Sequence, residues 1–555
     1  MKKKILCVVM ALAVMTSSFI GCGSKDNKSV DSAKEPTTKE SVTKEESSEA
    51  VAASEGQGVA VDAYAGTTLK VAVFTHALDK SENYGDKLAF AKAAEATGIN
   101  IEWVPVADGT VTERINVMLS SNDMPDVIIG LLNEQQIALN MESFHDLSKD
   151  NLLETYAPNI VADYKTMEGG MQAITWPDGS IRSLMTGRQI SYNNNADGIM
   201  VINKVWLDQL GLELPKTADE FYEVMKAFRD NDMNGNGDKT DEIPLEFSES
   251  NWAAKVMNLA NPWGIAGQGA ANPEAFKMVK DGKVVPTANT NEFRAFLEYY
   301  NKLANEGLVD VEGFSQTNEQ YYAKLKEGVV GCYIAWSPYS NFSPEIAANY
   351  VVLPPFTAID GVNPVKTGDR TRLFADRCGF AISATCQNVE AALTWWNYLS
   401  SSTEMKYTAR LGEKGGAWDI VDGKVIPLTP PGLSDDFTET NYQYTYGTVD
   451  RGPFIRADEE MVVAEDPTEA TYIRQCMVDQ VFDMLPTEKI MPKFTDPEKI
   501  NERSFIEVEL FELINNFIAT SIVKGVTDES WNNYLKQLDG ARYDEWINWY
   551  QQYMD

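Results

Sequence analysis

The chain has 555 residues, more than one hydrophobic core usually serves, so we expect at least two lobes. Its composition, 44% hydrophobic and 10% aromatic, is typical of a globular protein and excludes a disordered or fibrous one. The formal net charge of −34 argues against nucleic acid or an anionic lipid surface as the main partner, because both need a basic surface.

The N-terminus has the pattern of a secretion signal. Lysines follow Met1, and the apolar stretch over residues 5–20 is too short for a good membrane-spanning helix. The stretch leads into Cys22 in a pattern similar to the bacterial lipobox. We therefore predict a lipoprotein signal peptide at residues 1–21 and lipidation of Cys22. The alternative is an ordinary secretory signal with an incidental cysteine.

Residues 22–65 form a predicted disordered tether. Ser, Lys, Glu, Thr and Ala dominate this segment, which has too little apolar surface to order itself. A lipid anchor needs such a spacer to hold a domain clear of the membrane, whereas a released protein has no use for one. The tether therefore favours lipidation of Cys22 and a location at the extracytoplasmic face of the cell membrane.

Strands alternate with helices in the first part of the body. A β-type run over residues 67–74 precedes apolar residues at helical spacing over 84–97, which end at Gly98. Residues 99–105 and 126–130 are strand-like again, and the second of these is fully apolar, as in a buried parallel sheet. This alternation predicts an α/β architecture.

The same alternation continues in the second part. Residues 198–203 are strand-like, and Thr217 with Glu220 three residues later predicts a capping box at a helix start. The helix has an apolar face at i, i+3, i+4 and i+7, formed by Phe221, Val224, Met225 and Phe228. The further predictions are helices at 292–306 and 388–400, strands at 329–336, 351–353 and 379–382, and mostly helical sequence from Phe505.

The loop DNDMNGNGDKTDEIPLEF, from Asp230 to Phe247, indicates a cation site. Calcium prefers six to eight oxygen ligands on a flexible loop, and a glycine permits the sharp turn between them. Counted from Asp230, the residues at EF-hand positions are Asp230, Asp232, Asn234, Gly235, Asp238 and Asp241. No general base is identifiable nearby, so we predict a structural rather than a catalytic ion. An Asn/Gly-rich turn without an ion is the alternative.

Six segments of the body carry a family resemblance. They are VINKVWLDQLGLELPKTADEFYEVMKAFRDND, NGNGDKTDEIPL, NKLANEGLVDVEGF, LKEGVVGCYIAW, NVEAALTWWNYLSSSTEM and WNNYLKQLDGARYDEWINWYQQYMD. In this order they resemble the bacterial extracellular solute-binding protein family 1, in the subgroup of lipoproteins that serve ABC-type oligosaccharide importers. The resemblance covers almost the whole body, from residue 67 to residue 555.

The resemblance implies a two-lobe, periplasmic-binding-protein-like α/β fold with an interlobe cleft and a mostly helical C-terminus. Lobe one would comprise residues 67–186 and 338–387, and lobe two residues 187–337 and 388–555. An oligosaccharide would bind between the lobes, which agrees with the rule that open parallel sheets bind ligands beyond the carboxyl ends of their strands. The protein would act as a monomer and deliver its ligand to the transmembrane subunits of an ABC permease.

The resemblance also implies a second counting of the loop. The compact pattern of the family begins at Asp232, although this chain has one residue more than the common form before the acidic pair. The implied calcium ligands are Asp232, Asn234, Asn236, Asp238, Asp241 and Glu242.

Candidate sugar contacts follow strands or occupy crossings. Sugars present apolar C–H faces and hydroxyls, so a sugar site needs aromatic rings with a few polar groups. The candidates are Trp336, Trp263, Trp176, Trp418, His76, Asn133, Glu134 and Arg370. The alternative for each tryptophan is that it packs in the core, and the alternative for the polar residues is that they are solvated in surface loops. Arg370 with Arg372 could instead bind a uronate carboxylate, or pair with surface acids.

Two rival functions stay open at the level of sequence. A secreted glycoside hydrolase needs only a suitable carboxylate pair, which 82 acidic residues could supply. The same receptor fold could also bind a peptide or another solute. No GxSxG, HExxH or Walker-type pattern is present, and the chain has only two His. We therefore predict a binding protein without enzymatic activity.

Overall fold

The computed structural model describes residues 63–555 apart from 122, 168, 190–194, 268, 270–273, 341, 343, 371–372, 435–436, 464–466, 468–469, 491–492, 553 and 555. The predicted signal peptide, Cys22, Arg372 and nearly all of the predicted tether lie outside the described residues. The last tether residues, 63–65, belong to a turn in which Thr67 N donates to Tyr64 O at 3.0 Å.

The described part of the chain contains both strands and helices in alternation. The strands are β1 (Thr68–Thr75), β2 (Asn100–Ala107), β3 (Val127–Ile129), β4 (Leu184–Gln189), β5 (Ile199–Asn203), β6 (Ile243–Glu246), β7 (Lys277–Lys280), β8 (Lys283–Pro286), β9 (Val330–Ala335), β10 (Tyr350–Val352), β11 (Leu373–Ile382), β12 (Trp418–Val421) and β13 (Lys424–Pro427).

The α-helices are α1 (Leu88–Thr97), α2 (Val111–Ser121), α3 (Glu134–Leu139), α4 (Leu152–Tyr156), α5 (Pro158–Lys165), α6 (Gly170–Ile174), α7 (Lys204–Leu210), α8 (Ala218–Asp230), α9 (Asn291–Asn305), α10 (Asn318–Lys326), α11 (Pro344–Ala347), α12 (Val389–Leu399), α13 (Thr403–Leu411), α14 (Glu439–Tyr446), α15 (Ala470–Asp479), α16 (Pro497–Lys524), α17 (Asp528–Gly540) and α18 (Tyr543–Gln551). Within the described residues, no helix combines the length and the apolar character needed to cross a membrane.

The first sheet has the strand order β2-β1-β3-β11-β4. Strands β2, β1 and β3 are parallel, and β11 is antiparallel to both β3 and β4. Alternate residues of a strand point to opposite faces. Val71 and Val73 pack in one hydrophobic cluster and Ala72 in another, so helices and loops cover both faces of this sheet.

The second sheet has the strand order β10-β5-β9-β6. Strand β9 is parallel to β6 and antiparallel to β5, and β10 is antiparallel to β5. The largest hydrophobic cluster surrounds this sheet and includes Phe221 and Phe228 of α8. In the described part of the chain, the two larger sheets therefore have separate cores, as the chain length predicts, and β7–β8 and β12–β13 form two further two-stranded sheets.

The 28-residue helix α16 contacts both regions. Its Ile500 belongs to a cluster of the first sheet, with Ala72 and Ile128, whereas Ile506 and Leu510 belong to the cluster of the second. Its polar side chains also reach α3, where Arg503 lies 3.2 Å from a carboxylate oxygen of Glu134. The C-terminal helices thus link the two sheets.

Several elements lie with a different sheet from the one that the predicted lobe boundaries assign. Strand β10, placed with lobe one, pairs with β5 of the second sheet, where its apolar residues Tyr350 and Val352 are buried. Helices α12 and α13, placed with lobe two, pack in the core of the first sheet, α12 through Trp395 and Trp396 and α13 through Met405 and Ala409. The short connection after β11 keeps α12 beside that strand, where Trp396 stacks on Phe380 at 4.7 Å.

The predicted capping box at α8 is only half formed. Thr217 Oγ1 accepts from Glu220 N at 3.2 Å, as predicted. The Glu220 carboxylate accepts from Lys216 N at 2.7 Å instead of from the N-cap amide. The main chain on either side of Thr217 bonds to Thr357, which fixes the approach to the helix in this position.

Candidate functional site

The carboxyl ends of the parallel strands define one functional edge on each sheet. In the first sheet, β1 leads into His76 and β3 into Gly130. In the second, β6 ends at Glu246 and β9 at Ala335, and the antiparallel β5 begins at the same edge. Ligands of open α/β sheets bind outside such edges, so the side chains in these loops are the candidates.

An aromatic pair marks the edge of the second sheet. Trp336 directly follows β9 and is half-buried, and Trp252, in the loop after β6, is 62% exposed. Their ring centroids lie 5.4 Å apart with an interplanar angle of 47°. A side chain at Gly198 would place its Cβ 1.7 Å from Ala253 O, so glycine allows the Trp252 loop to pack directly on the start of β5.

Arg474 fixes the Trp336 side of this pair. Its guanidinium carbon lies 3.7 Å from the Trp336 ring centroid, and it donates to Trp336 O at 2.7 Å and also to Ala196 O. The residue is buried, and burial lowers the pKa of its guanidinium to about 9, against the opposite effect of Asp197. Arg474 therefore joins α15 to the facing ends of β9 and β5 and holds the ring in place.

A second aromatic pair lies at the edge of the first sheet. The His76 and Tyr444 rings are stacked, with centroids 4.1 Å apart and an interplanar angle of 10°. The buried Lys87 Nζ donates to Tyr444 O at 2.6 Å and to Thr445 O at 2.9 Å, and it pairs with Asp79 at 3.1 Å. These bonds hold the end of α14 over the loop that follows β1.

Three predicted sugar platforms are core residues in the structure. Trp176, Trp263 and Trp418 are 1%, 2% and 0% exposed. Trp176 stacks on Phe494 at 4.1 Å, Trp263 packs among tyrosines and phenylalanines, and Trp418 Nε1 donates to Gly412 O at 3.0 Å. A ring without an exposed face cannot stack on a ligand, so the core alternative holds for all three.

The predicted polar contacts are largely occupied within the protein. Asn133 Oδ1 accepts from Gln136 N at 2.8 Å and caps α3. Glu134 pairs with Arg503 at 3.2 Å and with Arg377 at 3.7 Å. Arg370 donates to two main-chain carbonyls, Asp483 O at 3.0 Å and Leu485 O at 3.2 Å, rather than facing an open anion site.

Of the predicted set, His76 and Trp336 therefore stay candidates at these edges, and the structure brings Trp252, Tyr444 and Arg474, which the sequence analysis did not select, into contact with them. The rule that site residues follow strands could have identified Trp252, because this residue lies in the loop after β6. Tyr444 and Arg474 carry no local sequence signal, because distant helices bring them to the sheet edges.

The Asp230 to Phe247 loop connects α8 to β6. Asp232 accepts from Gly235 N at 2.7 Å and from Gly237 N at 2.9 Å, where both glycines have positive φ. Asp241 Oδ2 accepts from Asn236 Nδ2 at 2.7 Å, and Glu242 Oε1 accepts from Met233 N at 2.7 Å. The acidic pair thus lies at the centre of the loop.

The loop contains carboxylate oxygens that lack a hydrogen-bond partner. Asp241 Oδ1 and Glu242 Oε2 are buried and accept no hydrogen bond. Buried anionic oxygens without partners are costly, and a hard cation would satisfy them. Within the described ranges, no three His, Cys, Asp or Glu side chains gather into a metal cluster, so a cation here would also need amide and main-chain oxygens.

Asp230 and Asp238 are engaged differently. Asp230 lies 2.7 Å from Arg229 Nε, at the end of α8. Asp238 Oδ1 accepts from Thr240 Oγ1 at 2.6 Å, and this hydrogen bond lowers the pKa of the Asp238 carboxyl. The pairing of Asp230 favours the counting of the loop that begins at Asp232.

Comparisons with known proteins place these features in a family. Residues 80–406 match the family described as "Bacterial extracellular solute-binding protein". The chain is 25% identical over 497 residues to the fructooligosaccharide ABC transporter substrate-binding protein FusA of Streptococcus pneumoniae serotype 4, covering 85% of this chain and 87% of FusA.

Solved structures of FusA are similar to the structure of this chain. The complex of S. pneumoniae FusA with kestose has a TM-score of 0.75 and 24% identity, and covers 88% of this chain and 99% of that one. The FusA EF-hand mutant in complex with fructo-nystose has a TM-score of 0.75 and 23% identity, with the same coverage. These similarities confirm the predicted two-lobe α/β fold with a helical C-terminus. Because the family match spans more than half of the chain, this protein belongs to the bacterial extracellular solute-binding protein family.

Proposed function

We propose that this protein binds an oligosaccharide between the functional edges of its two sheets and delivers it to the permease of an ABC transporter. The observation that carries the proposal is the Trp252–Trp336 pair, with its rings 5.4 Å apart at the edge of the second sheet. Aromatic rings stack on the apolar faces of sugars, and Arg474 pre-orders one of these rings. The oligosaccharide specificity of FusA supports the same ligand class.

We assign the two lobes by their sheets. Lobe one comprises the five-stranded sheet with α12, α13 and the segment around Phe454, and lobe two comprises the four-stranded sheet with β10. The predicted division between residues 186 and 187 cuts β4, which pairs with β11 as far as Gln189, so we extend the first part of lobe one to Gln189. A sugar that contacts both lobes favours their closed arrangement through the added contacts.

We further propose that the protein is a monomeric lipoprotein, anchored through Cys22 at the extracytoplasmic face of the membrane. The signal-like residues 1–21 and the polar segment that follows them support this placement. The lipid and the tether would keep the receptor near its permease while the two lobes move freely.

Isothermal titration with kestose and longer neutral oligosaccharides, followed by analysis of the recovered sugar, tests the function. We expect a binding signal with at least one oligosaccharide and recovery of that sugar intact, because a receptor releases its ligand unchanged. New reducing ends would instead show a glycoside hydrolase. Binding of peptides with no response to any sugar would assign the receptor to another solute class.

We propose that the Asp230 to Phe247 loop binds a structural calcium ion. The supporting observations are the partnerless buried oxygens of Asp241 and Glu242, together with an all-oxygen donor set. The existence of an EF-hand mutant of FusA supports a cation site in that relative. Asp232, Asn234, Asn236 and Asp238 would complete the ligand set with main-chain oxygens. The ion would join the end of α8 to β6, the strand that leads into the Trp252 loop.

Removing calcium is expected to destabilise the protein. Chelation with EGTA should lower the melting temperature, because an ion bound only by the native state contributes its binding free energy to stability. Glu242→Gln should weaken calcium binding at least tenfold, or about 1.4 kcal/mol, through loss of a charged ligand. Calorimetric calcium titration and thermal unfolding measure the two effects.

Asp230→Asn is the matched control for this loop. It removes one negative charge from the same segment, but from a carboxylate that already pairs with Arg229. An equal loss of calcium affinity in both variants would instead support the counting that begins at Asp230. An unchanged melting temperature in EGTA would show that the loop holds no ion.

A further inference from the structure

Arg451 lies at the functional edge of the first sheet. Its guanidinium carbon is 4.7 Å from the ring centroid of Phe74, near the end of β1. Gly130, the residue after β3, has φ +65°, and a Cβ there would lie 2.4 Å from Arg451 Cδ. The side chain of Arg451 therefore crosses the carboxyl ends of two neighbouring parallel strands, at the edge where His76 also lies.

The charge of Arg451 is not used in an ion pair within the described part of the chain. The neighbouring Asp450 lies 3.4 Å from Arg188 and 3.7 Å from Arg410, and Arg451 Nε is buried without a hydrogen-bond partner. Asp376 lies within electrostatic range, but burial still raises the pKa of its carboxyl despite Arg451. In a chain with a net charge of −34, a cation left without a carboxylate partner at a ligand-facing edge indicates an external partner.

The backbone before Arg451 is strained. Val449 has φ +53°, a left-handed conformation that is an outlier for a β-branched residue. The turn is held by Thr448, whose amide donates to Ala409 O at 2.8 Å and whose carbonyl accepts from Arg451 N at 3.0 Å. Strained conformations of this kind concentrate at ligand sites, where the surrounding structure over-determines them.

Neutral donors and aromatic surface adjoin the guanidinium. Leu78 N donates to His76 Nδ1 at 3.1 Å, so the neutral imidazole carries its proton on Nε2. Burial lowers the pKa of His76, Arg451 lowers it further, and Asp108 acts in the opposite direction. Tyr444 stacks on the same ring. Phe74, His76, Tyr444 and Arg451 together offer the combination that a sugar residue requires.

We propose that Arg451 is a ligand-contacting, specificity-determining residue that binds two adjacent oxygens of one sugar residue on the lobe-one side of the site. The inference rests on the proposed oligosaccharide function and deepens it. A planar guanidinium fork matches either a vicinal pair of hydroxyls or the carboxylate of a uronic acid. A neutral and an acidic probe distinguish the hydroxyl pair from the carboxylate.

The test is calorimetric titration of wild type, Arg451→Gln and Arg451→Lys with kestose, a neutral probe, and with trigalacturonate, an acidic one. We expect Arg451→Gln to bind the preferred probe at least tenfold more weakly, the loss typical of a hydrogen bond to a charged group. If the probe is acidic, Arg451→Lys should recover part of the affinity, because lysine keeps the charge. If it is neutral, lysine should not, because the fork is lost.

Arg542→Gln is the matched control, because it makes the same charge change between α17 and α18, where Arg542 pairs with Glu502 and Glu545. Equal affinity of Arg451→Gln and wild type for the preferred probe would overturn the inference while leaving the oligosaccharide function intact. Absence of binding by wild type to every saccharide would overturn the proposed function itself. If Arg451→Gln unfolds, the Arg451→Lys titration decides, because wild-type affinity of the lysine variant for the preferred probe would overturn binding of an oxygen pair by the guanidinium fork.

Discussion

Replacing Lys406 by methionine is expected to reduce the free energy of unfolding by about 3–5 kcal/mol, the usual cost of breaking a buried ion pair from one side. The Lys406 side chain is 2% exposed, and its Nζ lies 2.8 Å from Asp163 Oδ2 and 2.7 Å from Glu459 Oε2. Methionine matches the length of the stem but leaves the buried carboxylates of Asp163 and Glu459 with the longer ion-pair contacts to Arg456, at 3.2 Å and 3.6 Å. The network joins α5, α13 and the segment after Arg456, so the loss should affect the core of lobe one.

The loss should depend on pH. Burial raises the pKa of Asp163 to about 6, and Lys406 opposes this shift. Without Lys406 the pKa of Asp163 should rise further above its unfolded value. A carboxyl whose folded pKa exceeds its unfolded pKa binds its proton more tightly in the native state. Its contribution to stability therefore falls as the pH rises from the ordinary value of 3.8 through the folded value of about 6. The variant should therefore lose more stability at pH 8 than at pH 5.

Chemical denaturation at both pH values measures the effect. Lys414→Met is the matched control, since Lys414 is 40% exposed and its contacts with Glu404 and Asp419 are both 3.7 Å long. Exposed pairs contribute about 0–1 kcal/mol, so this control should stay close to wild type. If Lys406→Met and Lys414→Met cost the same at pH 8, the buried network does not hold lobe one together.

Local sequence patterns predict most of the elements because periodicity and end signals are local. The i, i+3, i+4 and i+7 residues of α8, from Phe221 to Phe228, are all buried as expected. Gly98 ends α1 in the left-handed conformation that a C-terminal glycine favours. The predicted strand at 379–382 is instead the end of the ten-residue β11, whose earlier part pairs with β4 and shifts register between Asp376 and Phe380.

The site is less predictable than the fold because exposure depends on residues that are distant in sequence. Trp336 lies at the end of a predicted strand and Trp176 in a turn before Pro177, yet Phe494 covers Trp176, whereas Trp336 remains half-buried. Arg474 bonds to the carbonyl of Trp336 across 138 residues of sequence. Such contacts arise only when both sheets and the C-terminal helices pack, so the local periodicity of the sequence does not predict them. The loop that we propose as a calcium site could be identified from sequence because its candidate ligands are contiguous.

The aromatic pair itself leads to the largest expected change in ligand binding. Replacing Trp252 by alanine is expected to weaken oligosaccharide binding by about 2 kcal/mol, roughly 30-fold, as is typical of a tryptophan at the centre of a binding site. Trp252 is 62% exposed, so its truncation leaves no buried cavity and should not change the melting temperature without ligand. Calorimetric titration and thermal unfolding of the same preparation measure the two quantities.

Phe505→Ala provides the control, because Phe505 is an equally exposed aromatic residue, 65% accessible, on α16 rather than at the sheet edge. Its affinity should match that of wild type. Trp336→Ala should lose both affinity and stability, because it also uncovers the buried Arg474 that stacks on its ring. The separation of the two effects identifies the platform: Trp252 acts only on the ligand, whereas Trp336 acts on the ligand and on the fold. Wild-type affinity in Trp252→Ala would remove the aromatic pair from the site.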